Sequence, residues 1–143
     1  MIVVAAFGLL AMLACLGLQV AASVIGANYF GRTSRLPLGP RPWRKIILQF
    51  SVLMLVLMLG SFAQVMIWAV LYQVFGAFDD LETALYFSGV TFTSLGYGDE
   101  TLIGRIRLLA PLQAATGLMM FGITTALLIA AVQRATAKWA MEQ

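Results

Sequence analysis

Seven consecutive residues, Thr93-Ser94-Leu95-Gly96-Tyr97-Gly98-Asp99, carry the chemistry of this chain. Two hydroxyls lead into backbone with two closely spaced glycines, and a carboxylate closes the run. Gly-Tyr-Gly is a poor helix and a weak strand, and here it lies between apolar segments. Lipid offers irregular backbone no hydrogen-bonding partner, so such backbone survives at membrane depth only if protein buries it or it lines a watery path. Glycine adopts angles that other residues resist, which lets successive carbonyls turn the same way and replace the water shell of a cation. The chemistry implied is ligation of a partly dehydrated ion by backbone oxygens, on a loop along which ions pass.

The rest of the chain must place that loop. The 143 residues are 62% hydrophobic and 10% charged, with mean hydropathy +0.94. A soluble domain carries about 25% charged residues, so this is an integral membrane protein. A helix needs about 20 apolar residues to cross, and three stretches qualify: 2–27, 46–75 and 108–132. The first lacks the basic start of a signal peptide and is too long for one, so it reads as a retained span. Its small residues Ala11/Cys15 and Ala22/Gly26, four apart, permit close helix packing. Pro111 falls in the first turn of the third span, where its missing N–H costs little. Gln19, Gln49, Ser61 and Gln64 lie within spans and are expected to bond to neighbouring helices.

A shorter piece, 81–93, lies between the second and third spans. As a helix it rises about 20 Å, too little to cross. Asp79, Asp80 and Glu82 suit its N-terminus as a cap, with Asp79 and Glu82 three apart. The helix descends from the outer face to mid-membrane, and Ser94 to Gly98, about 15 Å if extended, return. Its C-terminal end near Thr93 then brings about half a negative charge to the membrane centre. Tyr97 is expected to point away from the path and brace against Tyr86 and Phe87.

Charge sets orientation. The link 31–45 holds three prolines and two glycines, which bar a continuous helix, together with Arg32, Arg35, Arg41, Arg44 and Lys45. Arg134 and Lys138 follow the third span, and only Arg105 and Arg107 lie on the other side. The link and C-terminus are therefore expected in the cytoplasm, with the N-terminus and 76–107 outside. Trp43 and Trp139 fit interface anchors, Trp68 less clearly. The basic link also suits anionic lipid head groups. Basic residues that flank spans do not form a nucleic-acid patch. With one cysteine and no histidine, no intrachain disulfide is possible and the commonest metal ligand is missing. No activated nucleophile or intramembrane carboxylate pair points to an enzyme, and no organic cofactor is implied.

Thr93 to Asp99 resembles the GYG selectivity filter of the potassium-channel pore family, and Gly117-Leu118-Met119-Met120-Phe121-Gly122-Ile123-Thr124-Thr125-Ala126 resembles its pore-lining inner helix. The resemblance spans 46–132 and leaves one additional N-terminal helix uncovered. It implies an all-α membrane protein: three transmembrane helices plus a re-entrant pore helix and extended filter loop, assembled as a homotetramer around one pore. Ion-binding residues would be Thr93, Ser94, Leu95, Gly96, Tyr97 and Gly98, with potassium ligated at Ser94, Leu95, Gly96 and Tyr97. Asp99 would hold the outer end. Gly117 would serve as an inner-helix hinge or as a packing contact, and Gly122 as a packing contact. Ser94 stands where the family has threonine, and Leu95 where valine is common. The expected organisation is 1–30 extra helix, 31–45 cytoplasmic link, 46–132 pore domain and 133–143 cytoplasmic tail. The expected function is passive, potassium-selective conduction; a weakly selective monovalent cation channel and a non-conducting channel-like subunit are the alternatives.

Overall fold

A computed structural model describes residues 2–34 and 42–141. Helix α1 spans Ile2–Ser34, α2 Pro42–Val74, the short α3 Leu81–Phe92 and α4 Leu109–Met141, with one 3-10 turn, Ile106–Leu108, leading into α4. The described residues are thus helix and connecting loops. Three helices are long and apolar enough to cross a membrane. Each long helix has 33 residues, about 50 Å at 1.5 Å per residue, so each tilts or projects beyond a core of about 30 Å.

The helices overrun the apolar stretches that suggested them. Helix α1 continues through Arg32 to Ser34, and α2 opens on Pro42, a residue pre-shaped for the first helical position. Helix α4 carries on through most of the tail, where Gln133 to Met141 contain no breaker. Arg35 and Arg41 lie outside the described residues, as do the side chains of Lys138 and Trp139.

Helix α1 packs through one narrow face. Its buried residues are Gly8, Ala11, Cys15, Gln19, Ala22, Gly26 and Phe30, the stripe that the four-residue spacings predict. The spacing lets backbones approach closely. A Cβ on Gly8 would lie 2.8 Å from Leu112 of α4, and one on Gly26 would lie 2.6 Å from Leu53 of α2. From the other side, a Cβ on Gly60 of α2 would meet Ala22 at 3.1 Å. The first helix therefore sits on both α2 and α4 of its own chain. Cys15 is buried in the core with Ala11, Trp68, Tyr72, Phe87 and Leu109. Trp68 is fully buried and anchors no interface, whereas Trp43 is exposed on the first turn of α2.

Contacts at the two ends give the directions. Phe7 meets Phe75 edge-on at 5.5 Å, so α1 begins where α2 ends. Phe30 meets Phe50 at 5.4 Å, and Phe30, Leu53, Leu57 and Ala131 cluster at the opposite end. The three spans alternate in direction. Gly76, at φ 64°, closes α2: its N–H bonds Gln73 O and the N–H of Ala77 bonds Tyr72 O, satisfying carbonyls the helix end leaves open. The chain then turns directly into α3.

Gly26→Ile should overpack the α1–α2 contact and cost about 1–3 kcal/mol. Gly17→Ile, whose Cβ meets nothing within 4 Å, should cost far less. Denaturant midpoints of the two variants in detergent check this, and equal midpoints would refute the contact.

Candidate ion site

The start of α3 is made by Asp80. Its extended backbone lets Oδ1 accept the Thr83 N–H at 2.7 Å and Oδ2 accept the Thr83 hydroxyl at 2.8 Å. Of the acids expected to cap this helix, Asp80 does so, and it caps through Thr83 rather than through a pairing of Asp79 with Glu82. The two Thr83 bonds hold the Asp80 carboxyl below its ordinary pKa.

Two contacts one helical turn apart seat α3 on α4. At the first, Gln113 Nε2 donates to both the Ser88 carbonyl, at 3.0 Å, and the Ser88 Oγ, at 2.6 Å. Ser88 Oγ donates onward to the Val65 carbonyl of α2 at 2.7 Å, and Tyr72 of α2 donates to Gln113 Oε1 at 2.6 Å. Three helices are thus knotted by one buried glutamine whose oxygen and nitrogen are both engaged. At the second, Gly117 lies under the Phe92 carbonyl: a Cβ there would come within 1.9 Å of the oxygen. The contact gives Gly117 a packing role. Gly122 has nothing within 4 Å of its Cβ position, so within the chain it makes no packing contact of the kind expected. Ser88, Tyr72 and Gln113 were not singled out from sequence; the only signal was that Gln113 is a polar residue inside an apolar span.

The pairings Ser88–Gln113 and Phe92–Gly117 show that α3 descends alongside α4. Gly117 lies eight residues into α4, about 12 Å below its start, and Phe92 reaches that depth. The chain then returns, for Tyr86, in the first half of α3, donates its hydroxyl to Asp99. The expected half-helix down and loop up are both present.

The turn at the bottom is a helix-ending motif built on an unusual residue. Ser94 N–H bonds Thr91 O at 3.0 Å and Leu95 N–H bonds Val90 O at 2.9 Å, the pair of bonds that glycine normally closes in left-handed conformation. Here the position is Ser94, at φ 58°, the one non-glycine residue with positive φ among the described residues. A left-handed non-glycine residue costs roughly 1–2 kcal/mol, and β-branched residues tolerate it worst. Thr93 donates its hydroxyl to Gly89 O at 2.8 Å, which turns its proton away and leaves its lone pairs free.

Beyond the turn, positive φ recurs at every second residue: Ser94 at 58°, Gly96 at 59° and Gly98 at 78°. Uniform extended backbone points successive carbonyls to opposite sides, whereas alternating the sign of φ turns successive peptide units the same way. Cβ positions on Gly96 and Gly98 meet nothing within the chain, so conformation rather than space demands glycine. All residues from Thr93 to Thr101 are exposed. Behind them lies an open recess of about 490 Å³ bordered by Phe87, Val90, Ser94, Gly98 and Pro111. The Tyr97 side chain is 68% exposed and does not brace on Phe87, whose ring packs instead on Tyr72 and Phe78, both at 5.1 Å. Arg107 and Glu100 border the same recess.

Asp99, bonded by Tyr86, is held below its ordinary pKa of 3.8. Because the folded value is lowered, the brace is fully present above pH 3.8 and is lost only as pH falls through the lower folded value. Tyr86→Phe should raise the Asp99 pKa toward 3.8, followed by the carboxyl infrared band; an unmoved titration would refute the brace. Gly117→Ala should destabilise the fold by several kcal/mol, because its methyl meets backbone, while Gly122→Ala should stay within about 1 kcal/mol. Unfolding midpoints in detergent test the pair.

A family model described as ion channel matches residues 51–134, which include α3, the loop, α2 from Ser51 onward and α4 as far as Arg134. No curated protein matches the chain, and no solved structure matches it.

Proposed function

The chain belongs to this ion-channel family, and from that premise we propose a potassium-selective channel in which four copies surround one pore. The observation that carries the reading is the alternation of φ sign along Ser94–Gly98 at the C-terminal end of a half-membrane helix. That end holds partial negative charge, and the alternating φ of the exposed loop suits a short row of carbonyls turned the same way. One chain supplies one wall. Exposed irregular backbone does not face lipid, which supports closure by further copies around a symmetric axis. The carbonyls of Ser94, Leu95, Gly96 and Tyr97 ligate potassium, Thr93 adds its hydroxyl lone pairs below, and Gly98 and Asp99 form the outer end. Rings of such oxygens replace the ion's water shell, and neighbouring ions repel one another onward.

Below the loop, Leu118, Gly122, Thr125 and Ile129 recur at helical spacing on α4 and are exposed, opposite the face that carries Gln113, Gly117 and Met120. This stripe lines the inner part of the path, and the vacancy around Gly122 fits a residue that faces it. The pore unit is 46–132, with α1 added outside it. The basic link and the end of α4 face the cytoplasm by the distribution of arginine and lysine, where Arg32, Arg44 and Lys45 suit anionic lipid.

A second reading, weak selectivity among monovalent cations, is favoured by Ser94. A residue holding left-handed backbone against its preference loosens the innermost carbonyl ring. Reconstituted protein should pass potassium when it is the only cation and exclude sodium. Equal permeability in bi-ionic reversal potentials would establish the second reading, and no flux of either ion would leave a non-conducting subunit. Gly96→Ala forces a side chain into φ 59°, a strain of about 1–2 kcal/mol per chain, and should abolish potassium flux; unaltered flux would refute the assigned filter.

A further inference from the structure

Outside the family match lies one helix, α1, and a polar side chain on its packed face reaches the inner helix. Gln19 of α1 is fully buried. Its Nε2 donates to Thr124 Oγ1 of α4 at 2.9 Å, and its Oε1 accepts from Gln64 Nε2 of α2 at 2.8 Å. Gln64 is also fully buried, and its own Oε1 has no partner. Small residues admit Gln19 to this place, for a Cβ on Gly60 would meet Ala22 at 3.1 Å and Gln19 Oε1 at 3.9 Å. In an apolar surrounding, an amide that loses its partners has no water to turn to, so the three side chains hold one another in register.

We infer that Gln19 is a positioning residue for the conduction path: by holding Thr124, it fixes the rotation of α4 about its own axis. Thr124 lies seven residues, almost two turns, after Gly117 and so falls on nearly the same face. That face is held at two heights, by the Phe92 carbonyl above and by Gln19 below. Two fixed points on one face of a helix set where its other faces look. One of these is the stripe of Leu118, Gly122, Thr125 and Ile129, about a third of a turn round the helix. Apolar packing alone tolerates small rotations of a helix, whereas a hydrogen bond weakens steeply with misalignment. The inference rests on the reading above that this stripe faces the path. The first helix is then part of the conducting machinery rather than an added anchor.

The test uses the full chain in vesicles with Cys15→Ala and a reporter, Thr125→Cys, exposed to a charged, water-borne thiol reagent. In that parent the reporter should label and the protein should pass cations. Gln19→Leu and Thr124→Val should each change the labelling rate about threefold or more, the ratio matching an average interhelical hydrogen bond in a membrane. The double variant should change it no further, and Thr124→Ser, which keeps the hydroxyl, should restore the parent rate. A loss of packing alone would instead lower the unfolding midpoint and leave Thr124→Ser no nearer the parent. If Gln19→Leu fails to fold, the Thr124→Val and Thr124→Ser pair decides. A parent that passes no cation overturns the path reading and this inference with it. A conducting parent overturns the inference alone if its reporter stays unlabelled or if the variants label at the parent rate.

Discussion

The backbone of Gly117 lies so close under the Phe92 carbonyl that no side chain fits between them. This contact sets how deep the short helix descends, because Phe92 is its last residue. One turn above, Gln113 grips Ser88 by its carbonyl and hydroxyl, which sets the helix's rotation. With depth and rotation given, the hydrogen-bonded turn at Ser94 and Leu95 fixes where the exposed loop starts, and Asp99 on Tyr86 fixes where it ends. The loop has little else to hold it. Its shape is imposed from its two ends by a helix that is itself held from behind.

The membrane makes such polar contacts consequential. In water a glutamine between helices exchanges partners cheaply; in an apolar interior it keeps the ones it has, or is left without. The two glutamine centres differ in this respect. Gln113 has its oxygen and its nitrogen engaged, in a knot of three elements behind the loop. The Gln19–Gln64 pair leaves the Gln64 oxygen without a partner, as is Gln49 Nε2 nearer the start of α2. The expectation that polar residues within spans bond to neighbouring helices holds for Gln19 and Gln64 and not for the Gln49 nitrogen.

Much of this architecture was legible in the residues. Three apolar runs long enough to cross, a short run that is not, and a Gly-Tyr-Gly between apolar segments are properties of composition and length, and they carry over because lipid leaves helices few alternatives. The Ala11/Cys15 and Ala22/Gly26 spacings marked the packing face of α1 for a similar reason: small residues four apart cannot help forming a groove. Helix ends were less legible. The cap at Asp80 and the overruns of α1 and α4 depend on which side chain turns back onto the backbone, a matter of ångströms that adjacent acids and missing breakers do not distinguish.

What the sequence by itself determined is the presence of a membrane helix bundle with one irregular loop that needs shelter from lipid, because the cost of unpaired backbone in lipid depends on residue type and spacing. What only the tertiary structure decided is what each special residue does there. Gly117 gains its meaning from the carbonyl of a residue 25 positions earlier, Gln113 from a serine on another helix, and Ser94 from a turn that demands left-handed backbone without a glycine to supply it. Tyr97, expected to brace against Tyr86 and Phe87, is exposed, and the Phe87 ring packs on Tyr72 and Phe78. These assignments depend on distances between segments far apart in the chain, and those distances exist only once the helices have packed.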